Sequence, residues 1–343
     1  MNTASPHFWP AEWEPQSATW ISWPHNQDTW PNRFASIPGV FYRFIQTLAE
    51  IQLVRVLFSA DKIDPQSLRV LEQTPNVELI EIATNDAWIR DYGPTFVKRS
   101  SDQSLVGICW KFNAWGDKYP PYDLDAAAGR RICESLKCAR SMSSLYCEGG
   151  ALETNGKGII LTSSSCLVNP NRNPGWSQQM VTEELQMQLG AEQVVWVDGG
   201  GLAGDDTDGH IDQLARFVDE RTVVAAVASQ GDDPNASGLE ANLRILRGVQ
   251  VRENAMLNVV RLPTPPPRFI DGQRVPESYC NFLIANQIVL MPSFRNPITD
   301  QAAHAILTSL FPSRTVVPMD AFELVWGLGA FHCASQQQPV AKP

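Results

Sequence analysis

The chain has 343 residues, of which 27 are basic and 37 acidic, a formal charge of −10 at neutral pH. That balance repels nucleic-acid phosphates, so a nucleic-acid partner is not expected, while the long-range field favours small cations. With 43% apolar and 19% charged residues the chain can bury a large core, which excludes disorder, and five histidines leave little scope for a His-rich metal site.

The first sixteen residues, MNTASPHFWPAEWEPQ, have neither a basic n-region nor an apolar h-region, so no secretory signal is expected. The longest uncharged stretches, Ser278 to Phe294 and Leu324 to Ala341, carry polar residues throughout and do not read as membrane spans. Seven cysteines (109, 133, 138, 147, 166, 280 and 333) contain no C-x-x-C pair. Free thiols in a reducing cytoplasm fit that set better than a disulfide framework or structural zinc.

In chain order, strands are predicted at Leu53–Phe58, Val77–Ala83, Ser104–Phe112, Gly158–Thr162, Gln193–Val197, Thr222–Ala228, Leu257–Leu262, Phe282–Met291 and Thr315–Pro318. Asp64-Pro65 reads as an N-cap and first helical residue. Ser177 caps a predicted helix with Met180, Val181 and Leu185 inward, stopped at Gly190. Thr299 caps another with Ala303, Ile306, Leu307 and Leu310 on one face, ended before Pro312. Proline-rich Leu262 to Pro276 reads as a surface loop, and no composition shift marks a boundary, so one domain spans 1–343. Helices at intervals of roughly sixty residues, with some strands following each other directly, suggest a repeating unit rather than a plain doubly wound sheet.

Four clusters can carry chemistry. Asn85 to Pro94 holds Asp86, Trp88, Arg90 and Asp91 at a strand end, and two carboxylates beside an indole suit a planar cation; the plain alternative is an Asp–Arg pair beside a buried Trp. Glu148-Gly-Gly150 permits close approach of backbone to a ligand, or is a simple turn with an exposed acid.

The third cluster, Asp205 to Asp212, sets four carboxylates around His210, on what the alternation of His210, Asp212 and Leu214 suggests is a strand. Upstream, Gly199 to Gly204 matches G-x-G-x-x-G, but no helix opens there and acids stand where phosphate would sit. An EF-hand is excluded because its closing Glu would be Ala215. The acids predict a raised His210 pKa, with the acid limb of activity above the free imidazole value. A metal on His210 and a merely solvated acidic loop are the alternatives. Last, Cys333 in Gly-rich, uncharged Gly327 to Pro339 is a candidate nucleophile, although a lone cysteine is usually inert.

A thiol, an imidazole and paired carboxylates around a planar cation suit attack on a guanidinium carbon. The acids hold the terminal nitrogens, the thiolate adds, the imidazole protonates the departing nitrogen, and water hydrolyses the S-linked intermediate. That chemistry needs no metal and no organic cofactor.

The motifs Pro10-Ala-Glu-Trp-Glu-Pro15, Thr19-Trp-Ile-Ser-Trp-Pro24, Trp88-Ile-Arg-Asp-Tyr-Gly-Pro94, Phe112-Asn-Ala-Trp-Gly116, Glu148-Gly-Gly150, Asn169-Pro-Asn-Arg-Asn-Pro174, Asp206-Thr-Asp-Gly-His-Ile-Asp212, Ser278-Tyr-Cys-Asn-Phe282 and His332-Cys333 before Gln336-Gln-Gln-Pro339 run in one order along nearly the whole chain. In that set the sequence resembles the agmatine deiminases and bacterial-type peptidylarginine deiminases. The resemblance implies an α/β propeller of five ββαβ-type modules, about 69 residues each, with the site at the centre. It implies Cys333 as nucleophile, His210 as general acid/base, and Asp91 and Asp212 as guanidinium-binding carboxylates. Trp88, Glu148 and Asp206 match channel positions, and Asn281 matches a site position of the peptidylarginine branch. His332 is set aside, since neighbours on a strand point to opposite faces.

Two departures stand out. Gly327-Leu-Gly-Ala-Phe331 replaces the Gly-Gly-Gly-Asn-Ile usual before His-Cys, and Tyr92 stands where Thr is usual. Agmatine is the expected substrate, with arginine or peptidyl-arginine as the alternative. A metal-dependent hydrolase and an inactive polyamine-binding module are readings from other classes. The expected partner is a small cationic guanidino compound, without nucleic acid or membrane; a homo-oligomer is left open.

Overall fold

One structural unit recurs along the chain: two antiparallel strands, a helix, and a third strand parallel to the second. A computed structural model describes residues 5–251 and 255–342. Among them the unit appears in five sheets. Ser335–Pro339 pairs antiparallel with Gln16–Ser22, which runs parallel to Val54–Phe58 and that to Val77–Glu81. Thr95–Arg99, Leu105–Lys111 and Ala139–Tyr146 form the second, with His7–Phe8 on its edge. The third is Glu153–Thr154, Ile159–Ser163 and Gln193–Val197; the fourth Ala215–Phe217, Thr222–Val227 and Asn258–Pro263; the fifth Leu283–Ile284, Ile288–Ser293 and Thr315–Asp320.

A helix occupies each parallel crossover: Ile37–Ala49, Pro65–Glu72, Asp123–Leu136, Gln178–Leu189, Ala236–Arg247 and Pro297–Leu310. Parallel neighbours cannot be joined by a tight turn, so each crossover needs a helix to cover the sheet. In Ile37–Ala49 the spacing of Ile37, Val40, Phe41, Phe44, Ile45 and Leu48 makes one continuous apolar stripe, and all six are buried. The fold is therefore mixed α/β, with most apolar side chains in one core and a second cluster around Val106, Ile160 and Leu185.

Most predicted strands fall within one or two residues of the observed ones. Phe282–Met291 is instead a hairpin, Leu283–Ile284 and Ile288–Ser293. Asn296 rather than Thr299 caps its helix, accepting from the Thr299 N–H at 3.2 Å. Met180 is 44% exposed, because the buried face of its helix is made by Val181, Leu185, Gln188 and Leu189. No helix among the described residues is long and apolar enough to cross a membrane, and all seven cysteines are free thiols.

Candidate active site

The entrance to the first strand of each unit is a single helical turn or tight turn too short for periodicity to reveal. Ile89–Tyr92 carries Asp91, Gly149–Ala151 carries Gly150 just after Glu148, and Ile211–Leu214 carries Asp212 just after His210. Tyr279–Asn281 carries Asn281, and the turn from Ala330 carries Cys333. His210 and Asp212 thus do not lie on a strand; the alternation that suggested one spans too few residues to separate a strand from a helical turn. The same holds for His332. Lying on a turn, it shares the Cys333 neighbourhood instead of facing away.

The Cys333 sulfur accepts from Asn281 Nδ2 at 3.0 Å, and its thiol lies 3.5 Å from Asp212 Oδ2. Asn281 Oδ1 in turn accepts from the Ala330 and Cys333 N–H groups, so one side chain holds both the sulfur and its turn. Asp91 Oδ1 accepts from the Gly150 N–H at 2.9 Å, and Oδ2 accepts from Trp115 Nε1 at 2.9 Å. His210 Nδ1 stands 3.7 Å from Asp91 Oδ1, and its Nε2 3.6 Å from Glu148 Oε2. Gly150 is required by crowding: a methyl group there would lie 2.6 Å from His210 Nδ1 and 2.8 Å from Asp91 Oδ1.

His210 sits among acids as expected, but the partners differ. They are Asp91 and Glu148, brought from elsewhere in the chain, rather than Asp206 and Asp208. Burial works against its charge, yet Asp91, Cys166 and Glu148 outweigh it and raise its pKa well above the ordinary value. Asp206 and Asp208 point elsewhere: Asp206 accepts from the Tyr119 hydroxyl, and Asp208 from Lys118 at 2.9 Å and from Arg172.

Glu148 is also corrected in place. It lies behind His210, off the channel wall, with Arg172 Nε donating to it at 2.8 Å. Burial would lift its carboxyl, but the Arg172 charge and His210 hold it down at about 2. Burial pushes Asp91 up to about 6, with the Asp212 and Glu148 charges adding and His210 opposing. Asp212 is buried too, yet His332 keeps its pKa below the usual value. Burial, then the Asp212 and Asp91 charges, raise the Cys333 thiol well above its ordinary pKa.

Asp212 Oδ1 and both His210 ring nitrogens have no hydrogen-bond partner among the described residues. Buried polar atoms in that state call for a ligand. Cys333, 3.5 Å from Asp212, and Asp91, 3.7 Å from His210, both line a cavity of about 780 Å³, together with Trp88, Asp28, Asp86, Tyr119, Asp206 and Trp326. Metal-type donor groups exist in Glu148, Cys166 and His210 and in Glu12, Glu153 and His332. Guanidinium groups already occupy both: Arg172 binds Glu148, and Arg216 joins Glu12 to Glu153. A second cation there would meet like charge.

Over residues 8–339 the chain matches the Porphyromonas-type peptidyl-arginine deiminase family. It belongs to that family. It is 33% identical to the agmatine deiminase of Pseudomonas syringae pv. tomato, across 96% of this chain and 95% of that one. Identity to the agmatine deiminase of Pseudomonas aeruginosa (strain LESB58) is 35%, across 97% and 95%. A cysteine-to-serine variant of the C. jejuni agmatine deiminase with substrate bound aligns at a TM-score of 0.89 and 27% identity, covering 98% of this chain and 97% of that one. The protein is a hydrolase of the carbon–nitrogen bonds of linear amidines, of the guanidine-deiminating type.

Several residues that surround the site escaped the sequence reading. Trp115, Arg172 and Glu12 stood inside quoted motifs, but nothing local assigns them a partner. Trp115 meets Asp91 across 24 residues, and Glu12 meets His332 across 320.

Proposed function

We propose that this protein hydrolyses the guanidinium of agmatine to N-carbamoylputrescine and ammonia through a covalent intermediate on Cys333. One observation carries the reading. Beside the Cys333 sulfur, Asp212 presents a buried oxygen with no partner among the described residues, while Asp91 lines the same cavity as Cys333 and has His210 3.7 Å away. A guanidinium supplies both the positive charge and the N–H donors that this arrangement lacks.

Substrate charge then activates the sulfur. In the empty site Asp212 and Asp91 favour the neutral thiol, and a cation bound between them removes that penalty. The thiol proton passes to solvent, sulfur bonds to the guanidinium carbon, and protonated His210 gives its proton to the departing nitrogen, which leaves as ammonia. Water then adds to the S-bound carbon and returns one proton to His210. Collapse breaks the carbon–sulfur bond, the remaining hydroxyl proton passes to the expelled sulfur, and the urea is left. Glu148, fixed by Arg172, orients and charges the imidazole from behind.

The outer wall favours agmatine over arginine. Asp28, Asp86, Asp125 and Asp206 line it, with Lys62 and Lys118 as the facing cations. Burial raises Asp86 to about 6 and Asp125 well above the usual carboxylate range, so Asp125 adds polarity rather than charge. Lys118 donates to the Asp206 carbonyl and to Asp208, so it does not offer a free clamp for an α-carboxylate. We further propose that the five units surround the cavity as a propeller. The support is that each contributes its site residue from the same position, just ahead of its first strand.

Ammonia release from agmatine, arginine and a peptidyl-arginine, measured side by side, tests the substrate; turnover of the peptide alone overturns it. Acid quenching during turnover is expected to show protein carrying the mass of agmatine less ammonia. Activity that survives Cys333→Ser and dies with EDTA would instead establish a metal-dependent hydrolase.

A further inference from the structure

His332 and Glu12 take no part in the steps above, yet both are buried and linked to Asp212. His332 Nδ1 lies 2.7 Å from Asp212 Oδ2, and its Nε2 lies 3.1 Å from Glu12 Oε2. Asp212 and Glu12 are both held ionised and only accept, so each contact needs a proton on its ring nitrogen. The two acids oppose the burial and the Arg216 and Arg90 charges that lower the His332 pKa. Glu12 is anchored in turn: Arg216 donates to Oε2, and the Ile284 N–H donates to Oε1 at 2.6 Å. Arg216 is fixed by Glu153 and by the Phe282 carbonyl at 2.7 Å. None of Glu12, Glu153, Arg216 and His332 lines the substrate cavity.

We propose that His332, backed by Glu12, is a positioning residue that fixes the Asp212 carboxylate so that its free oxygen faces the guanidinium. A carboxylate with one open oxygen can rotate and present either. The 2.7 Å contact pins Oδ2 on the sulfur side and leaves Oδ1 as the carboxylate oxygen with no partner among the described residues. Arg90 keeps the turn from shifting, since its Nε donates to the His332 carbonyl at 3.2 Å and its N–H to that of Cys333 at 3.2 Å. The sequence Glu12…Asp212…His332-Cys333 thereby acquires a shared purpose. The N-terminal Glu12 secures, through one imidazole, the acid beside the nucleophile.

The inference rests on guanidine hydrolysis at this site and not on which guanidine is bound. It is tested with whichever guanidino substrate the wild type turns over. If agmatine is not that substrate, the agmatine reading fails while the ratios below still decide this one. Asn places its Nδ2 where the His Nδ1 sits, whereas Gln reaches only toward the Nε2 position. His332→Asn is expected to keep kcat within about tenfold of wild type, and His332→Gln to lose more than about a hundredfold, by the scale of a lost active-site orientation. The KM for substrate should rise in the Gln variant only. Equal losses in both variants, or none in either, overturn the assignment, because a role in folding alone does not distinguish the two amides. Where His332→Gln gives no folded protein, His332→Ala takes its place: a loss of more than about a hundredfold in kcat that His332→Asn restores to within about tenfold of wild type supports the proposal, and equal losses in both, or none in either, overturn it.

Discussion

Asp91 is the residue whose titration should be visible in activity. Its carboxyl is pushed up to about 6 by burial, and only the ionised form offers a counter-charge to a guanidinium. The ratio kcat/KM reports groups of the free enzyme, so its acid limb is expected near pH 6, rising as pH rises. His210 was expected to set that limb. Its pKa is indeed raised, but as a general acid it must be protonated, so its titration belongs to the alkaline limb. A limb centred near pH 4, or none between pH 5 and 7, would remove Asp91 from this role. At this scale the sequence is informative wherever a residue type is itself the chemistry. His210, Asp91 and Asp212 stand in acidic local clusters that point to a cation, and Cys333 stands out as a thiol in a Gly-rich, uncharged stretch. Glu12, Arg172 and His332 were not legible. A buried acid or imidazole is defined by its partner, and these partners lie far away in sequence.

Among the elements, Ala114–Asp117 is the most unusual. Its four residues have φ of 48°, 58°, 89° and 65°, a left-handed turn in which three side chains sit in a disfavoured region. Each such residue costs roughly 1–2 kcal/mol, and the turn persists under tertiary support: Asn113 Oδ1 accepts from the Gly116 N–H at 3.1 Å. The result is that the Trp115 indole reaches Asp91. Strain kept at a functional position points to a role for the side chain it delivers. Trp115→Phe keeps a ring but removes the N–H that favours the ionised carboxylate. The acid limb of kcat/KM is expected to move up by about 0.5–1 pH unit, as loss of a single hydrogen bond implies. A limb that stays in place in a folded variant would leave Trp115 as wall only. Elements with long apolar patterns were legible, Gln193–Val197 to the residue. The short turns bearing the site were not, because four residues carry no period. Likewise Phe282–Met291 is apolar on both sides of its turn, and no polar break betrays the hairpin.

At the scale of the molecule, helix spacing suggested a repeat without fixing its content. The repeat resides in topology, a strand pair followed by a helix and a parallel strand, and side-chain identity does not preserve it. Each of five turns places one site group just ahead of a first strand, so a whole-chain arrangement converts similar local geometry into different chemical roles. The last unit closes through Ser335–Pro339, paired with Gln16–Ser22 from Ser335↔Ile21 to Gln338↔Ala18. A chain ended after Ala334 keeps every site residue named above yet exposes the edge of a buried strand. It is expected to lose soluble yield and its cooperative melting transition, read by calorimetry. A truncated protein that melts like the full chain would show the closing strand to be dispensable.

That closing strand also orders events during synthesis. Cys333 is the last of these site residues to leave the ribosome, and the partner awaiting its strand was made more than three hundred residues earlier. Until the final segment emerges, Gln16–Ser22 has an open flank and the pocket has carboxylates but no sulfur. A nascent chain therefore lacks the means to attack a guanidinium until Cys333 has emerged. Catalysis and completion of the fold begin together.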